Sequence, residues 1–317
     1  MTAGVVAMAG LPAALGAQVL QRDWLSANHI VFAACDGVPA TVVDTGYASH
    51  SAMSLALIDH ALADRPVQRV LNTHLHSDHC GGNAALQARD PAVQVLVPQA
   101  SESVVRAWDE DRLSYRYTGQ QCPAFRVDGA LRPGGQVDIG PARWQVHAAP
   151  GHDPDAVLLF EPQTRTLIAG DALWEDRLAI IFPEIEGRDG FGPTRATLAL
   201  IERLAPQRVV PGHGAVFEDV AAALASSRRR LEAFERDPAR HLRHAARALL
   251  MYHLMEVRQR PRERLLAWLP DTPIFATMQR RLGADAGWAV ELLDGLVDDG
   301  LLLDHQGVIQ LPPASPR

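Results

Sequence analysis

The sequence predicts an α+β fold in two parts: sheets packed on each other with helices outside, followed by a smaller helical region. Three observations carry this. As far as Arg236, short apolar runs punctuated by Gly and Pro alternate with segments of helical spacing. After Asp237-Pro238 the composition shifts and helical spacing takes over. The length, 317 residues, suits about two domains at roughly 150 residues each. The expected division is 1–237 and 238–317.

Taken in order, Ala17–Leu20 reads as an edge strand. His29–Ala34 and Ala40–Asp44 flank the turn dipeptide Asp36-Gly37 and read as a hairpin. Ser51–Ala63 is a helix with Leu55, Ile58 and Leu62 on one face. Val70–Asn72 is a short strand entering a polar loop. A helix at Gly82–Ala88, a buried strand at Val93–Val97 and a helix at Ser101–Trp108 follow. Asp109–Cys122 shows no clear period. Strands recur at Gln136–Ile139, Arg143–Ala148, Ala156–Phe160 and Thr166–Ala169. Thr194–Leu204 and Val216–Arg236 are helices around a strand at Arg208–Val210. Beyond Pro238, an apolar stripe from Leu242 to Val257 marks one helix, with shorter ones at Arg262–Leu269, Ile274–Leu282 and Ala286–Val297. A hairpin of Leu301–Asp304 and Val308–Leu311 completes a winged-helix-like order.

Composition narrows the chemistry. Apolar residues make up 47% and charged residues 21%, which is globular composition and excludes wholesale disorder. The net charge of -7 does not favour nucleic acid. There is no lysine, so no Schiff-base or P-loop lysine is available. Three cysteines, Cys35, Cys80 and Cys122, without a CxxC spacing indicate no disulfide framework and a reducing, cytoplasmic setting. The long uncharged stretch Met1–Gln21 is broken by Gly and Pro, which makes a poor membrane helix. It also lacks the early positive charge of a signal peptide.

The strongest signal is Thr73-His74-Leu75-His76-Ser77-Asp78-His79-Cys80-Gly81-Gly82. Imidazole and carboxylate suit Zn²⁺, Fe²⁺ or Mn²⁺. In extended backbone His74 and His76 point the same way, and a turn after Ser77 brings Asp78 and His79 to a neighbouring point. One segment then supplies two ligands to each of two adjacent metals. Further candidates lie beside glycine just past strand ends: His152, Asp171 and His213. Asp44 is either an orienter of a ligand histidine or the cap of the Gly46 turn. His147 is close to His152 in sequence but sits mid-strand.

This ordered set, His74-Leu75-His76-Ser77-Asp78-His79, then His152, Asp171 and His213, resembles the metallo-β-lactamase fold superfamily across about residues 18–235, nearest its glyoxalase II-like branch. Val42-Val43-Asp44-Thr45-Gly46 is similar to that family's early strand-end motif. The resemblance implies an αββα sandwich with a dinuclear site at one sheet edge, most simply two Zn²⁺, with Fe or Mn as alternatives. One metal would be held by His74, His76, His152 and Asp171, the other by Asp78, His79, His213 and Asp171. Asp78 would also orient the attacking water. Two features depart from the pattern. Asp153 stands where many relatives carry Ser or Thr. Leu173–Phe191 is rich in both aromatics and acids, and reads as a lid or pocket wall, or as a surface loop.

The expected activity is hydrolysis of a small ester, thioester or lactone. Other readings are a metal-dependent ribonuclease or phosphodiesterase, a mononuclear-iron persulfide dioxygenase using His74, His152 and Asp171, and a non-enzymatic metal-binding regulatory protein. Eleven arginines against five acids between Arg228 and Arg264 leave RNA contact open. Gly283–Leu311 carries six acids and no basic residue, so sequence-specific DNA reading is not expected. The remaining expectations are a small-molecule substrate, no membrane partner, and a C-terminal region, 236–317, that packs on the catalytic domain, shapes its cleft, or pairs subunits into a homodimer.

Overall fold

The computed structural model describes residues 11–22 and 24–313. The first ten residues of the uncharged Met1–Gln21 stretch lie outside them. Among the described residues no helix is long and apolar enough to cross a membrane.

The chain forms two compact units, Met1–Tyr115 with Gln121–Ala233, and Arg116–Gln120 with Phe234–Arg317. The division falls inside the helix Val220–Arg236, a few residues before position 237. Phe234 explains this, because its ring packs on His241 and His244, 5.0 and 5.7 Å between centroids.

The first unit holds two sheets. One comprises β1 (Ala17–Leu20), β2 (His29–Phe32), β3 (Thr41–Val43), β4 (Arg69–Leu71), β5 (Gln94–Pro98) and β6 (Gly129–Leu131), in that spatial order. Pairing is antiparallel from β1 to β3 and parallel from β3 to β6. The other comprises β7 (Gln136–Ile139), β8 (Ala142–Ala148), β9 (Val157–Glu161), β10 (Thr166–Gly170) and β11 (Arg208–Pro211), with β11 at one edge and parallel to β10. Side-chain alternation assigns the faces. Ile30, Phe32, Val43 and Leu71 meet Trp144, Val146, Leu159 and Ile168 of the second sheet in one core. Val31, Val42, Val70 and Val95 turn the other way, onto Ile58 and Leu62 at the helix Ser51–Ala61 and Leu86 of the helix Asn83–Arg89. The fold is the expected α+β sandwich.

The Asp36-Gly37 turn closes as read, with Cys35 and Val38 exchanging backbone hydrogen bonds of 3.1 and 2.7 Å. Asp36 and Gly37 have φ of 47° and 83°, as a two-residue hairpin of this twist requires. The helix expected from Val216 begins at Val220 instead, because Phe217 forms a bridge with Val209 of β11. Strand β6 was not legible, because Gly129-Ala130-Leu131 carries a single large apolar side chain.

In the second unit Asp237 caps the helix Pro238–Val257, accepting from the Arg240 backbone N–H. Leu242, Ala246, Leu249, Leu250 and Leu254 of the expected stripe are buried. Helices Arg262–Asp271, Pro273–Leu282 and Trp288–Asp298 follow. The terminal hairpin β13 (Leu303–His305) and β14 (Val308–Gln310) gains a third strand, β12 (Gln259–Pro261), which pairs with β14. That strand, Gln259-Arg260-Pro261, carries no apolar run to mark it.

Candidate metal centre

Five strand ends converge at one edge of the sandwich. β3 runs into Asp44, β4 into 72–79, β8 into His152, β10 into Asp171 and β11 into His213. Backbone bonds lock these ends together. Gly212 donates to Gly170 at 2.7 Å, Asn28 to Gly212 at 2.7 Å, and Val157 to Thr73 at 2.8 Å. Parallel pairing of β10 with β11 sets Asp171 beside His213, although 41 intervening residues separate them.

All seven sequence-derived ligand candidates meet there, in two adjoining groups: His74, His76 and His152, and Asp78, His79, Asp171 and His213. Within each group the donor atoms lie within 4.8 Å of one another. Asp171 touches both groups. Its Oδ1 is 3.4 Å from His79 Nε2, and its Oδ2 is 3.4 Å from His152 Nε2 and 3.9 Å from His213 Nε2. Asp78 Oδ2 lies 2.9 Å from His213 Nε2.

The outer nitrogens show which ring nitrogens are left available to a metal ion. His152 Nδ1 donates to the Ile180 carbonyl at 2.5 Å, and His79 Nδ1 to Asp44 Oδ2 at 2.7 Å. The Thr73 hydroxyl donates to Asp44 at 2.8 Å, so it accepts from His74 Nδ1 at 3.1 Å. With Nδ1 protonated, Nε2 of each ring presents a lone pair inward. His76 is reversed: Nδ1 faces the centre, and Nε2 lies 3.7 Å from Asp153 Oδ2. His76 Nδ1 is therefore 3.1 Å from His74 Nε2 and 2.7 Å from His152 Nε2. Ring nitrogens so close need a shared proton or a metal ion among them. His79 Nε2 is buried without a hydrogen-bond partner. The donor set fits divalent metal.

Electrostatics agree. Burial, reinforced by neighbouring imidazoles, pushes His74 well below the usual histidine range and His76 down to about 3. Burial opposes charge on His79, yet Asp171, Asp44 and Asp78 hold its imidazole well above that range. Burial also opposes charge on Asp171, but His79 and His213 hold its carboxyl well below the usual carboxylate value. Asp153 is pushed up to about 7 by burial and by Asp155.

Asp44 takes the orienting position. Its Oδ1 accepts the Thr73 N–H at 2.9 Å while Oδ2 accepts from His79. Leu173–Phe191 divides between the two expectations. Its aromatics wall the site: Phe182 packs on His76 at 4.6 Å, and Trp174 Nε1 donates to Asp171 Oδ1 at 3.1 Å. Its acids Glu175, Asp176, Glu186 and Asp189 are exposed. His147 stays apart, 3.1 Å from Gln145 Oε1. Sequence reasoning missed Trp24, which stacks on His213; nothing in its local pattern marks it. It also missed that the Cys80 and Cys122 thiols approach to 3.7 Å beside Tyr115; both are free.

Glycine at 212 is a matter of space. A Cβ there would collide with Asp171 Oδ1 and lie 2.8 Å from His79 Cε1. Gly212→Ala should therefore displace the shared carboxylate and cut kcat/KM by about a hundredfold, as an ångström of misplacement does. Steady-state kinetics on the folded variant checks this.

The profile of the metallo-beta-lactamase superfamily matches residues 23–213. The chain belongs to that superfamily. It is a metallo-beta-lactamase-fold hydrolase. Acyl-coenzyme A thioesterase MBLAC2 of Bos taurus is 26% identical over 199 residues, 54% of this chain and 68% of that one. A hydroxyacylglutathione hydrolase of Stenotrophomonas maltophilia is 46% identical over 71 residues, 22% of this chain and 26% of that one. The crystal structure of a beta-lactamase domain protein from Burkholderia ambifaria superposes with a TM-score of 0.58 at 23% identity. That alignment covers 96% of this chain and 95% of the other.

Proposed function

We propose that this metallo-beta-lactamase-fold chain is a dinuclear metal-dependent hydrolase of small esters, thioesters or lactones. One observation carries the reading: Asp171 stands between two complete donor groups, 3.4 Å from a ring nitrogen of each. The thioester-cleaving relatives support the acyl substrate class.

His74, His76, His152 and Asp171 would hold one ion, and Asp78, His79, His213 and Asp171 the other. Bound divalent ions at such a centre bring the pKa of water toward neutrality and polarise an acyl oxygen. The chain's own contribution is geometry. Asp44, Thr73 and the Ile180 carbonyl fix the proton on the outer nitrogen of His79, His74 and His152, so that the inner nitrogens stay unprotonated. Asp78 is both a ligand and, in this reading, the carboxylate that orients the attacking water. Phe182 beside His76 limits water on that side.

A mononuclear iron centre would use His74, His152 and Asp171 and leave Asp78, His79 and His213 idle. Their close grouping favours two ions. The basic tract offers less to a phosphodiester than its count implies. Arg228 pairs with Glu202, Arg247 with Asp299, and Arg262 with Asp294.

Elemental analysis of chain purified without chelator should find about two equivalents of Zn, Fe or Mn per chain. Thioester or lactone turnover should disappear with chelator and return with metal. One tightly held iron, not displaced by zinc, with oxygen uptake on a persulfide, would replace this reading with the dioxygenase.

A further inference from the structure

Four of the five candidate ligand histidines face a polar group with the ring nitrogen turned away from the centre. Thr73 serves His74, Asp153 faces His76, Asp44 serves His79, and the Ile180 carbonyl serves His152. His213 is the exception. Its Nδ1 is buried and has no hydrogen-bond partner among the described residues. At the ring's inner end only Nε2 is engaged, 2.9 Å from Asp78 Oδ2, so nothing bonded at Nδ1 stops the imidazole from turning about Cβ–Cγ, which carries Nε2 off the direction a ligand needs.

Two tryptophans stand where that hydrogen bond is missing. The Trp24 ring lies flat on His213, 3.7 Å between centroids at an interplanar angle of 10°. Rotation of the imidazole out of this plane breaks the stack. Trp174 meets His213 edge-on at 5.5 Å and 78°, and meets Trp24 edge-on at 5.6 Å and 72°. The three rings thus brace one another. Trp174 also reaches the neighbouring ligand, because its indole N–H donates to Asp171 Oδ1 at 3.1 Å. That bond orients the carboxylate with Oδ2 toward His152 and His213.

We propose that Trp24 is a positioning residue for the metal ion of the second group, and Trp174 a positioning residue for the carboxylate that both ions would share. Trp24 fixes the ring plane of His213 by stacking, in place of a hydrogen bond, and Trp174 fixes the bridging carboxylate. The inference rests on the two-ion reading of the site. It assigns a role to Trp24 that burial does not explain, since this ring is 40% exposed and lies outside both sheets.

The test is Zn²⁺ binding to the full chain by chelator competition. The variants are Trp24→Leu, which keeps an apolar side chain without a flat ring, Trp24→Phe, which keeps a flat ring, and Trp174→Phe, which keeps a smaller ring without the indole N–H. Trp24→Leu should weaken one of the two ions by about ten- to a hundredfold, the usual cost of losing a ligand's support, and leave the other unchanged. Trp24→Phe should restore most of that loss. Trp174→Phe should weaken both ions, because Asp171 lies 3.4 Å from a ring nitrogen of each group. The melting temperature of the metal-free variants should match that of the parent, which separates positioning from general destabilisation. Equal affinities in Trp24→Leu and Trp24→Phe, or two unchanged affinities in Trp24→Leu, would overturn the proposal. A parent chain that binds only one ion would instead refute the two-ion reading, and that result appears before any variant is made.

Discussion

Replacing Asp171 by alanine is expected to lower kcat/KM by about a thousandfold or more, since the electrostatic support of both donor groups goes with it. Asp171 lies 3.4 Å from the inner nitrogens of His79 and His152, one in each group. The loss should be visible without substrate. Metal content should fall below two equivalents per chain. Thermal stability in the presence of metal should drop as well, because a ligand held at a thousand times its Kd contributes ~4 kcal/mol by mass action. Elemental analysis, a thermal melt with and without added Zn²⁺, and turnover of a thioester panel check the three parts. Full activity with intact stoichiometry would remove the shared-carboxylate geometry from the account.

The second large effect is expected at Asp44, and the choice of replacement isolates its cause. Asp44 accepts the Thr73 N–H with Oδ1 and His79 Nδ1–H with Oδ2. Asparagine has the same shape but one donor arm. If the amide nitrogen faces His79, the proton moves to Nε2 and blocks the ligand atom. If it faces Thr73, two donors collide there. Both outcomes cost a ligand. The backbone at Asp44 has φ +56°, a left-handed conformation that Asn tolerates well and Ala tolerates poorly. Asp44→Asn therefore keeps the fold and should still lower metal affinity and kcat/KM by about ten- to a hundredfold. A packing role alone predicts a mild effect for Asn and a large one for Ala. Measuring both variants, with zinc content alongside kinetics, decides between them.

The ligand set was legible in the sequence because its chemistry is local. His74, His76, Asp78 and His79 sit within six residues, where strand alternation and one turn suffice to aim them. His152, Asp171 and His213 were marked by type, order and glycine neighbours. The sandwich was legible for a related reason, since alternating apolar runs such as Ile30–Phe32 and Val42–Val43 carry their two faces within a few residues. β6, Gly-Ala-Leu, and β12, Gln-Arg-Pro, carry too few large apolar side chains to show such a run. Asp44 was seen as a candidate, but its two possible roles differ only in which side chain lies 2.7 Å away.

Taken by itself, the sequence determined which residue types could bind metal, which strand ends carried them, and where sheet gives way to helix. Those properties depend on neighbours a few positions apart. Tertiary structure alone decided that Asp171 lies 3.4 Å from a ring nitrogen in each group, and that Trp24 braces His213 across 188 intervening residues. It also decided that no side chain fits at position 212. These are distances through space between segments far apart in the chain. They follow from the register of β10 against β11 and from the backbone bonds of Asn28 to Gly212, a long-range pairing that no local pattern encodes.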